Sequence, residues 1–432
     1  MADILPFRAW RYNDELSRSI ENLTSPLFDV VSSRQRAALY ENKINSVHLS
    51  VPNGEDPAKL AEETLDQWKK DGTLKQDHVP GIYVYFQKFA LPGRDHVYVR
   101  KGFICNIRIH DWNENVILRH ENTMPHSVSD RQSILASTGL NVSPTHGLYT
   151  DTAHEIEALL DESMQNPIYE VEDYQGVTDS LGVIQDSAAI RKIMSVIRDK
   201  QIILADGHHR YEGSLAHYKQ MRQNNPDHTG EEGYNFHMMY LTNTEAHDLR
   251  ILPTHRLIKG KPINEEKFLG QLQEDFIVKP VENPFDINEI ILGKQWAFGL
   301  LINNNAYKIR LKPDQIHQMS WNFPSEVKEL DLTVMHYFIF EKILRIPGIE
   351  QRSAREISFE RSFPACLQEV VSGQADFAII TKDISIDTVK QVCYSGYTMP
   401  QKSTYFYPKV ICGFLFGSIL DHEFHSPFDS SF

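Results

Sequence analysis

Short apolar runs alternate with amphipathic stretches along most of the chain, and this alternation predicts a mixed α/β protein. β-branched and aromatic residues fill Ile82–Phe86, which is therefore a predicted strand. Apolar residues three to four positions apart predict helices over residues 151–165 and 186–200. The mostly apolar runs at 201–205 and 236–241 are also predicted strands, so strands and helices alternate through this part of the chain.

A short polar stretch, Lys259–Pro262, contains both glycine and proline and marks the predicted domain boundary. It separates an N-terminal α/β region over residues 1–258 from a C-terminal α+β region over residues 259–432. A chain of 432 residues is too long for one ordinary hydrophobic core, so two or three domains are expected.

The C-terminal region carries its own strand and helix signals. Trp296–Ile302 and Ala306–Leu311 flank three asparagines and predict a β-hairpin, because asparagine tolerates the positive φ of such turns. The spacing of apolar residues predicts a helix over Leu332–Leu344, and Phe377–Ile380 is a predicted buried strand. The apolar run Val410–Leu420 is predicted to be a core helix.

Composition and charge argue against several classes of protein. The formal net charge of -14 disfavours general nucleic-acid binding, because phosphate backbones require a basic surface. The N-terminus is not expected to be a signal peptide, and no run approaches the ~20 apolar residues of a membrane span. A cytoplasmic protein without nucleic-acid or membrane partners is therefore expected. The four cysteines lack Cys-x-x-Cys spacing and are expected to be reduced thiols, namely Cys105, Cys366, Cys393 and Cys412.

One predicted turn holds the densest group of chemically active residues. An apolar strand ends at Asp206, Gly207 permits a sharp turn, and helical spacing follows. The N–H groups at a helix start attract anions, and His208, His209 and Arg210 add donors and positive charge. The turn is therefore predicted to bind a phosphate or a nucleotide.

Several roles are open to Asp206. It could cap the helix, orient a histidine, ligate Mg²⁺ or act as a base. The simplest alternative is a plain cap followed by two surface histidines. A zinc site using His208 and His209, with His255 or His120 as third ligand, is weaker because neighbouring helical side chains diverge by ~100°.

Other segments supply further candidate residues. Glu121 lies in a charged stretch and is a candidate base or metal ligand, against the simpler interpretation as a polar loop residue. His255 and Arg256 follow a proline and could contact an anion, although a surface turn is the simpler alternative. A third group could bind phosphate or else support packing between domains, and it consists of Lys402, Ser403 and Thr404.

Together these segments resemble the family catalogued as domain of unknown function 1015 (DUF1015), over nearly the whole chain. The resemblance is sharpest at Ala205–Glu212. It also includes Leu5–Arg8, Ser25–Val30, Tyr83–Tyr85, Arg119–Thr123, Asn141–Pro144, Ile251–Arg256 and Met399–Lys409.

The Asp206–Arg210 turn also resembles the nucleotide-binding turn of the ParB and sulfiredoxin fold, which occurs in free-serine kinases. This resemblance implies a ParB/sulfiredoxin-like nucleotide-binding core with family-specific insertions. It further implies a small-molecule kinase that uses ATP or ADP and Mg²⁺ to phosphorylate a free hydroxyl metabolite, with L-serine the first candidate.

Under that resemblance the site residues take defined roles. The catalytic residues are Asp206, His208, His209 and Glu121, with Asp206 and Glu121 also the Mg²⁺ ligands. The nucleotide-binding residues are Gly207, His209, Arg210, His255, Arg256, Lys402, Ser403 and Thr404. Two alternatives stay open: a ParB-like nucleotide-binding switch without phosphotransfer, and a metal-dependent hydrolase using His208, His209 and His255. A homodimer is compatible with each of them.

Overall fold

The computed structural model describes residues 1–28, 30–91, 95–173 and 175–424, which form two compact units. Unit 1 comprises residues 1–119 and 123–249 together with the described residues from Pro408 onward. Unit 2 comprises His120–Asn122 and Arg250–Tyr407. These units divide the chain at Leu249 and again at Tyr407, whereas the predicted domains divide it at residue 258.

The strands range from two to twelve residues and are numbered in chain order. They are β1 (Ile4–Leu5), β2 (Trp10–Tyr12), β3 (Leu74–Gln76), β4 (Ile82–Ala90), β5 (Val97–Arg108), β6 (Ile117–Arg119), β7 (Leu140–Asn141), β8 (Thr145–Tyr149), β9 (Tyr169–Glu172), β10 (Thr178–Ile184), β11 (Ile202–Asp206), β12 (Phe236–Asn243), β13 (Arg250–Leu252), β14 (His255–Ile258), β15 (Phe276–Val281), β16 (Ala297–Ile302), β17 (Asn305–Leu311), β18 (Ile357–Glu360), β19 (Phe377–Ile380), β20 (Tyr405–Tyr407) and β21 (Gly417–Ser418).

The α-helices are numbered in the same way. They are α1 (Ser33–Tyr40), α2 (Val47–Ser50), α3 (Pro57–Lys70), α4 (Pro125–Thr138), α5 (Glu157–Ser163), α6 (Ser187–Arg198), α7 (His208–Asn224), α8 (Glu265–Asp275), α9 (Ile287–Ile291), α10 (Ser325–Lys328), α11 (Asp331–Met335), α12 (Phe363–Val371), α13 (Ile386–Tyr394) and α14 (Asp421–Phe424). A π-helical stretch, His336–Ile343, continues directly from α11.

Unit 1 is built around a nine-stranded mixed sheet. Its order is β6-β11-β8-β12-β5-β4-β10-β9, and β1 pairs with β5. β11 runs parallel to β6 and β12 runs parallel to β8, while the other neighbours are antiparallel. The end of β11 therefore lies in the interior of the sheet order, with β8 and β12 on one side of it.

Apolar cores cover both faces of this sheet. Along β12, Met238 and Tyr240 belong to one core, whereas Met239 and Leu241 belong to the other. Every residue of β12 is buried, and its sequence is mostly apolar rather than alternating. Helices α6 and α7 cover the second face with their apolar residues. Burial on both faces fixes the strands that carry the turn at Asp206.

Unit 2 contains a six-stranded antiparallel sheet with the order β15-β17-β16-β19-β14-β18. The predicted hairpin is confirmed, since β16 pairs with β17 and Asn303 in the turn has a φ of +52°. The predicted helix over Leu332–Leu344 is confirmed as α11 and its π-helical continuation. The predicted buried strand at Phe377–Ile380 is confirmed as β19.

The predicted core helix over Val410–Leu420 is wrong. The segment is largely buried but irregular, with isolated bridges from Cys412 to Ser25 and from Phe416 to Trp10, and only β21 within it is a strand. Gly413 has a φ of +107°, which interrupts a right-handed helix. An apolar run of this length does not by itself distinguish a buried helix from buried extended chain.

The predicted mixed α/β class is confirmed by these sheets and helices. The helix predicted over 186–200 is confirmed as α6, whereas α5 occupies only part of the helix predicted over 151–165. No helix in the described ranges is both long enough and apolar enough to span a bilayer. The four cysteines are free and buried.

Candidate functional site

The strand-to-helix turn at Asp206 and Gly207 forms as predicted. β11 ends at Asp206, Gly207 has a φ of +86°, and α7 begins with the next residue. A Cβ atom at position 207 would lie 2.7 Å from Cγ2 of Thr145 and 2.8 Å from Nη2 of Arg210. Both the left-handed backbone and the close packing therefore require glycine.

Gly207 is the N-cap residue of α7, so the N-cap position itself supplies no capping side chain. The Asp206 carboxylate, one residue earlier, binds the side chain of Arg210 in the first turn. The N-terminus of a helix carries partial positive charge, so the start of this 17-residue helix favours negative charge nearby.

Two cations hold the Asp206 carboxylate. Arg210 Nη2 donates to Oδ2 at 2.9 Å, and Lys409 Nζ donates to Oδ1. The side chains of Arg210, Asp206 and Lys409 are 7%, 12% and 12% exposed. Burial raises the pKa of Asp206, but the charges of Lys409 and Arg210 outweigh burial and keep that pKa well below its usual value. The three groups together carry a net positive charge.

Arg210 is fixed from a second direction. Its Nη1 donates to Ser143 Oγ at 2.9 Å and to the carbonyl oxygen of Pro144 at 2.6 Å. Arg210 therefore links the turn to the short segment between β7 and β8. The sequence segments Asn141–Pro144 and Ala205–Glu212, which both contribute to the family resemblance, are in contact.

The two histidines of the turn differ in their surroundings. His208 is buried, with 7% of its surface exposed. His209 Nε2 accepts a hydrogen bond from the backbone N–H of Met124 at 3.0 Å, just before α4. A nitrogen that accepts from an N–H cannot carry a proton, so the proton of His209 is on Nδ1. The alternative interpretation, with both histidines at the surface, is wrong for His208.

The backbone around Lys409 is anchored by two neighbouring strands of the same sheet. Arg100 on β5 donates to the carbonyl oxygen of Pro408, and Gln87 Nε2 on β4 donates to the carbonyl oxygen of Lys409 at 2.9 Å. Arg100 is only 1% exposed. These bonds direct the Lys409 side chain to Asp206, so its position is set by tertiary structure.

A buried polar network continues across the sheet. His146 on β8 is paired in register with Asp206, and its Nε2 contacts Thr242 Oγ1 at 2.8 Å. Burial, followed by the charge of Arg100, lowers the pKa of His146 well below its usual value, so the imidazole is neutral. On β10, Asp179 is fully buried, and burial raises its pKa to about 7.

In unit 2, Glu121, Arg256 and Lys402 form a second group of predicted residues. The backbone N–H of Lys402 donates to Glu121 Oε1 at 2.5 Å, and Arg256 Nη2 donates to the carbonyl oxygen of Lys402 at 3.2 Å. Arg256 is fully buried, and burial lowers its pKa to about 9 against the opposing charge of Glu121. Arg256 thus holds backbone carbonyls, and its predicted contact with an anion stays a prediction.

The remaining predicted residues of unit 2 make internal contacts. Ser403 Oγ donates to the carbonyl oxygen of Pro400, and Thr404 Oγ1 lies 2.7 Å from His120 Nε2. His255 Nδ1 accepts from the backbone N–H of Thr381 at 3.2 Å. Burial and the charge of Arg256 lower the pKa of His255 to about 4. These contacts order the loop that follows Met399, and phosphate binding by its hydroxyls stays a prediction.

Metal binding gains no support from side-chain clustering. In the parts of the chain that the structure describes, no group of three or more His, Cys, Asp or Glu side chains is placed to hold a metal ion. The zinc site considered for His208 and His209 is therefore not formed there. Both oxygens of Asp206 are already engaged by cations, so this carboxylate is poorly suited to ligate Mg²⁺ directly.

The structure thus separates the predicted site residues into two sets, one in each unit. Unit 1 holds Asp206, Gly207, His208, His209 and Arg210, and unit 2 holds Glu121, His255, Arg256, Lys402, Ser403 and Thr404. Sequence reasoning missed Lys409, the direct partner of Asp206, along with Ser143, His146 and Arg100. Lys409 ends the segment Met399–Lys409, but no spacing rule connects it to a turn 203 residues away.

A protein-family model matches most of this chain. The model of the family described as "Protein of unknown function (DUF1015)" matches residues 4–333, which is more than half of the chain. Among curated proteins, none matches the sequence significantly.

Solved structures similar to this chain share little sequence with it. A conserved hypothetical protein from Pyrococcus furiosus is 12% identical with a TM-score of 0.36, covering 70% of this chain and 92% of its own. A mutant free serine kinase in complex with AMP is 11% identical with a TM-score of 0.37, covering 77% and 92%. A C-terminally truncated SbnI from Staphylococcus aureus is 12% identical with a TM-score of 0.34, covering 70% and 84%.

Proposed function

The chain belongs to the DUF1015 family, and from the chemistry of its Asp206 turn we propose that it is a nucleotide-dependent phosphotransferase whose acceptor is a small hydroxyl metabolite. ATP or ADP is the phosphate donor, and free L-serine is the first acceptor to test. The start of α7 and its buried cations bind the phosphates of the nucleotide.

One observation carries the proposal: the N-terminus of α7 begins beside the net positive group of Lys409, Asp206 and Arg210. A helix N-terminus and buried cations both favour negative charge. A phosphate is the anion that benefits most, since it accepts several hydrogen bonds from backbone and guanidinium donors at once. Phosphoryl transfer depends mainly on positioning and charge stabilisation, which is what such a turn supplies.

The low pKa of Asp206 decides its role in this proposal. A carboxylate held ionised by two cations is a weak base, because it binds a proton only well below neutral pH. Asp206 instead fixes Lys409 and Arg210 against the turn. Glu121 lies in unit 2 and has no part in this proposal. His208 and His209 stay candidates for neutralising the transferring phosphate.

The chemical step is an in-line displacement at phosphorus. The acceptor oxygen forms the new P–O bond, the bond to the nucleotide oxygen breaks, and the electron pair leaves with the nucleotide. The acceptor proton passes to a general base. Mg²⁺, bound mainly through the nucleotide phosphates, would neutralise the charge that develops on the leaving group.

Serine is chosen because the Asp206–Arg210 segment resembles the nucleotide-binding turn found in free-serine kinases. A shared motif narrows the acceptor class without fixing it. The first assay therefore includes homoserine, threonine and glycerol beside serine, so that a change in acceptor preference is detected together with the reaction.

The direct test is incubation of the purified protein with ATP or ADP, Mg²⁺ and L-serine, followed by ³¹P NMR. We expect a phosphomonoester signal and a matching loss of nucleotide phosphate, both dependent on protein and acceptor. Nucleotide binding without consumption by any acceptor would contradict phosphotransfer and favour the nucleotide-dependent switch.

A further inference from the structure

Four cations gather on one face of the six-stranded sheet of unit 2. Lys279 on β15 is paired in register with Lys308 on β17, and Arg310 lies two residues further along the same face of β17. The fourth is Lys294, between α9 and β16, whose charge also acts on Lys308. Paired residues of neighbouring strands have Cβ atoms about 5 Å apart, and like charges placed opposite each other in this way destabilise a sheet.

No carboxylate neutralises this cluster within the described chain. Neither Lys279 nor Lys308 has an ion-pair or hydrogen-bond partner among the residues that the structure describes. Lys294 Nζ and Arg310 Nε each donate to a backbone carbonyl oxygen, which carries no full charge. The four side chains therefore form a local concentration of positive charge on a chain whose formal net charge is -14.

Lys308 is the member of the cluster whose amine is best placed to react. It is partly exposed, and on β16 the register places Gly299 beside it, which has no side chain. A Cβ atom at position 299 would lie 2.3 Å from Cγ2 of Ile287, so an apolar residue of α9 lies over that position. Partial burial and the charges of the three neighbouring cations lower the pKa of Lys308. A lysine beside other cations loses its proton more readily and is activated as a nucleophile.

The same cations favour an anionic reagent. A phosphate group binds well beside lysine and arginine side chains, because its oxygens accept several charge-assisted hydrogen bonds at once. An acyl phosphate combines this anion with a carbonyl carbon that an amine attacks. The cluster therefore matches an acyl phosphate in two ways, since it attracts the phosphate and supplies a lysine that is activated by its neighbours.

We propose that Lys308 is a site of acylation by acyl phosphates, with Lys279 and Arg310 binding the phosphate of the reagent. The neutral amine of Lys308 attacks the carbonyl carbon and forms a C–N bond. The bond from that carbon to the phosphate oxygen breaks, its electron pair leaves with inorganic phosphate, and the amine proton passes to solvent. Acylation removes one charge from the cluster, which relieves the repulsion between Lys279 and Lys308. The site does not depend on the proposed phosphotransfer.

The test treats the full-length protein with acetyl phosphate at low ionic strength and measures acetylation at each lysine. After denaturation, the remaining amines are labelled with deuterated acetic anhydride, so that mass spectrometry of each peptide gives the ratio of light to heavy acetyl groups. The reference is Lys59, whose side chain is 66% exposed and whose Nζ lies 3.8 Å from Oε1 of Glu63. We expect Lys308 to be acetylated at least about fivefold faster than Lys59, although Lys59 is the more exposed lysine.

A second reagent and two variants separate attraction of the phosphate from reactivity of the amine. N-acetoxysuccinimide is an uncharged acetyl donor, so the preference for Lys308 over Lys59 should be about threefold smaller with it than with acetyl phosphate. Lys279→Gln should slow acetylation of Lys308 by acetyl phosphate about threefold. Lys267→Gln, the control, should not change this rate, because α8 packs against the opposite face of the sheet.

Three results would overturn the proposal. They are acetylation of Lys308 no faster than that of Lys59, an equal preference for Lys308 with both reagents, and equal rates at Lys308 in the two variants. Acetylation is measured on unit 2 without nucleotide, so none of these results bears on phosphotransfer, which the ³¹P NMR assay measures separately.

Discussion

Lys409 and Asp206 form a buried ion pair although they are 203 residues apart in the sequence. The pair joins the irregular C-terminal segment to the turn that begins α7. Because Arg210 shares the same carboxylate, one acidic group holds two cations beside the start of α7. The net positive charge beside the turn therefore depends on a residue 203 positions further along the chain.

Replacement of Asp206 by asparagine tests the buried pair. Asp206→Asn keeps the shape but leaves Lys409 and Arg210 buried without a counter-charge, so we expect a loss of about 3 kcal/mol in unfolding free energy. The control is Asp199→Asn, because Asp199 is exposed at the end of α6 and should change stability little. Chemical denaturation of both variants measures the difference.

The pH dependence of that loss follows from the lowered pKa of Asp206. When folding lowers the pKa of a carboxyl group, that group stabilises the folded protein at pH values above its pKa in the unfolded chain. This stabilisation is lost as the pH falls through the pKa of the group in the folded protein. The deficit of Asp206→Asn should therefore persist from pH 8 down to pH 5. A deficit that vanishes at pH 5 would contradict the ionised pair.

Substitution of Gly207 tests whether close packing adds to the cost of its positive φ. Gly207→Ala adds a methyl group to a φ of +86° and forces it against Thr145 and Arg210, so we expect a loss of about 2 kcal/mol or more. Gly72 has a φ of +77°, and a Cβ atom added there would meet no described atom within 4 Å, so Gly72→Ala carries only the backbone cost of about 1 kcal/mol. Equal melting temperatures of the two variants would refute the close packing at Gly207.

Asp179 should make stability depend on pH near neutrality. Burial raises its folded-state pKa to about 7, so the folded protein retains a proton that the unfolded chain has lost. Stability from this group is greatest below about pH 4, where both states are protonated, and falls as pH rises to about 7. Asp179→Asn removes the ionisable group, so we expect a higher melting temperature than wild type at pH 8 and little difference at about pH 4. A variant that melts earlier than wild type at pH 8 would contradict the raised pKa.

Local chemistry made the turn predictable from sequence. A strand-like apolar run, a glycine and renewed helical spacing are short-range signals, and the structure forms β11, Gly207 and α7 in that order. The hairpin around Asn303 was predictable for the same reason, because the positive φ of its turn is a property of the residues in it.

The features that could not be predicted from the sequence depend on tertiary contacts. Lys409 reaches Asp206 only because Arg100 and Gln87 hold the backbone at Pro408 and Lys409, and those residues lie on separate strands. The run Val410–Leu420 was mistaken for a helix because buried extended chain is equally apolar. The roles predicted for His208, Glu121 and Arg256 depend on burial and partners, which residue spacing does not encode.

The central claim is that the start of α7 binds a nucleotide phosphate through Lys409. Two variants of unit 1, each lacking one lysine, test the claim. Lys409→Met removes the buried cation beside Asp206, and Lys219→Met, the control, removes a half-exposed cation on α7 itself. Isothermal titration of ADP with Mg²⁺ should give wild-type affinity for Lys219→Met and at least about tenfold weaker binding for Lys409→Met. Equal affinity of the two variants for ADP, or no binding by the wild-type protein, would contradict the claim.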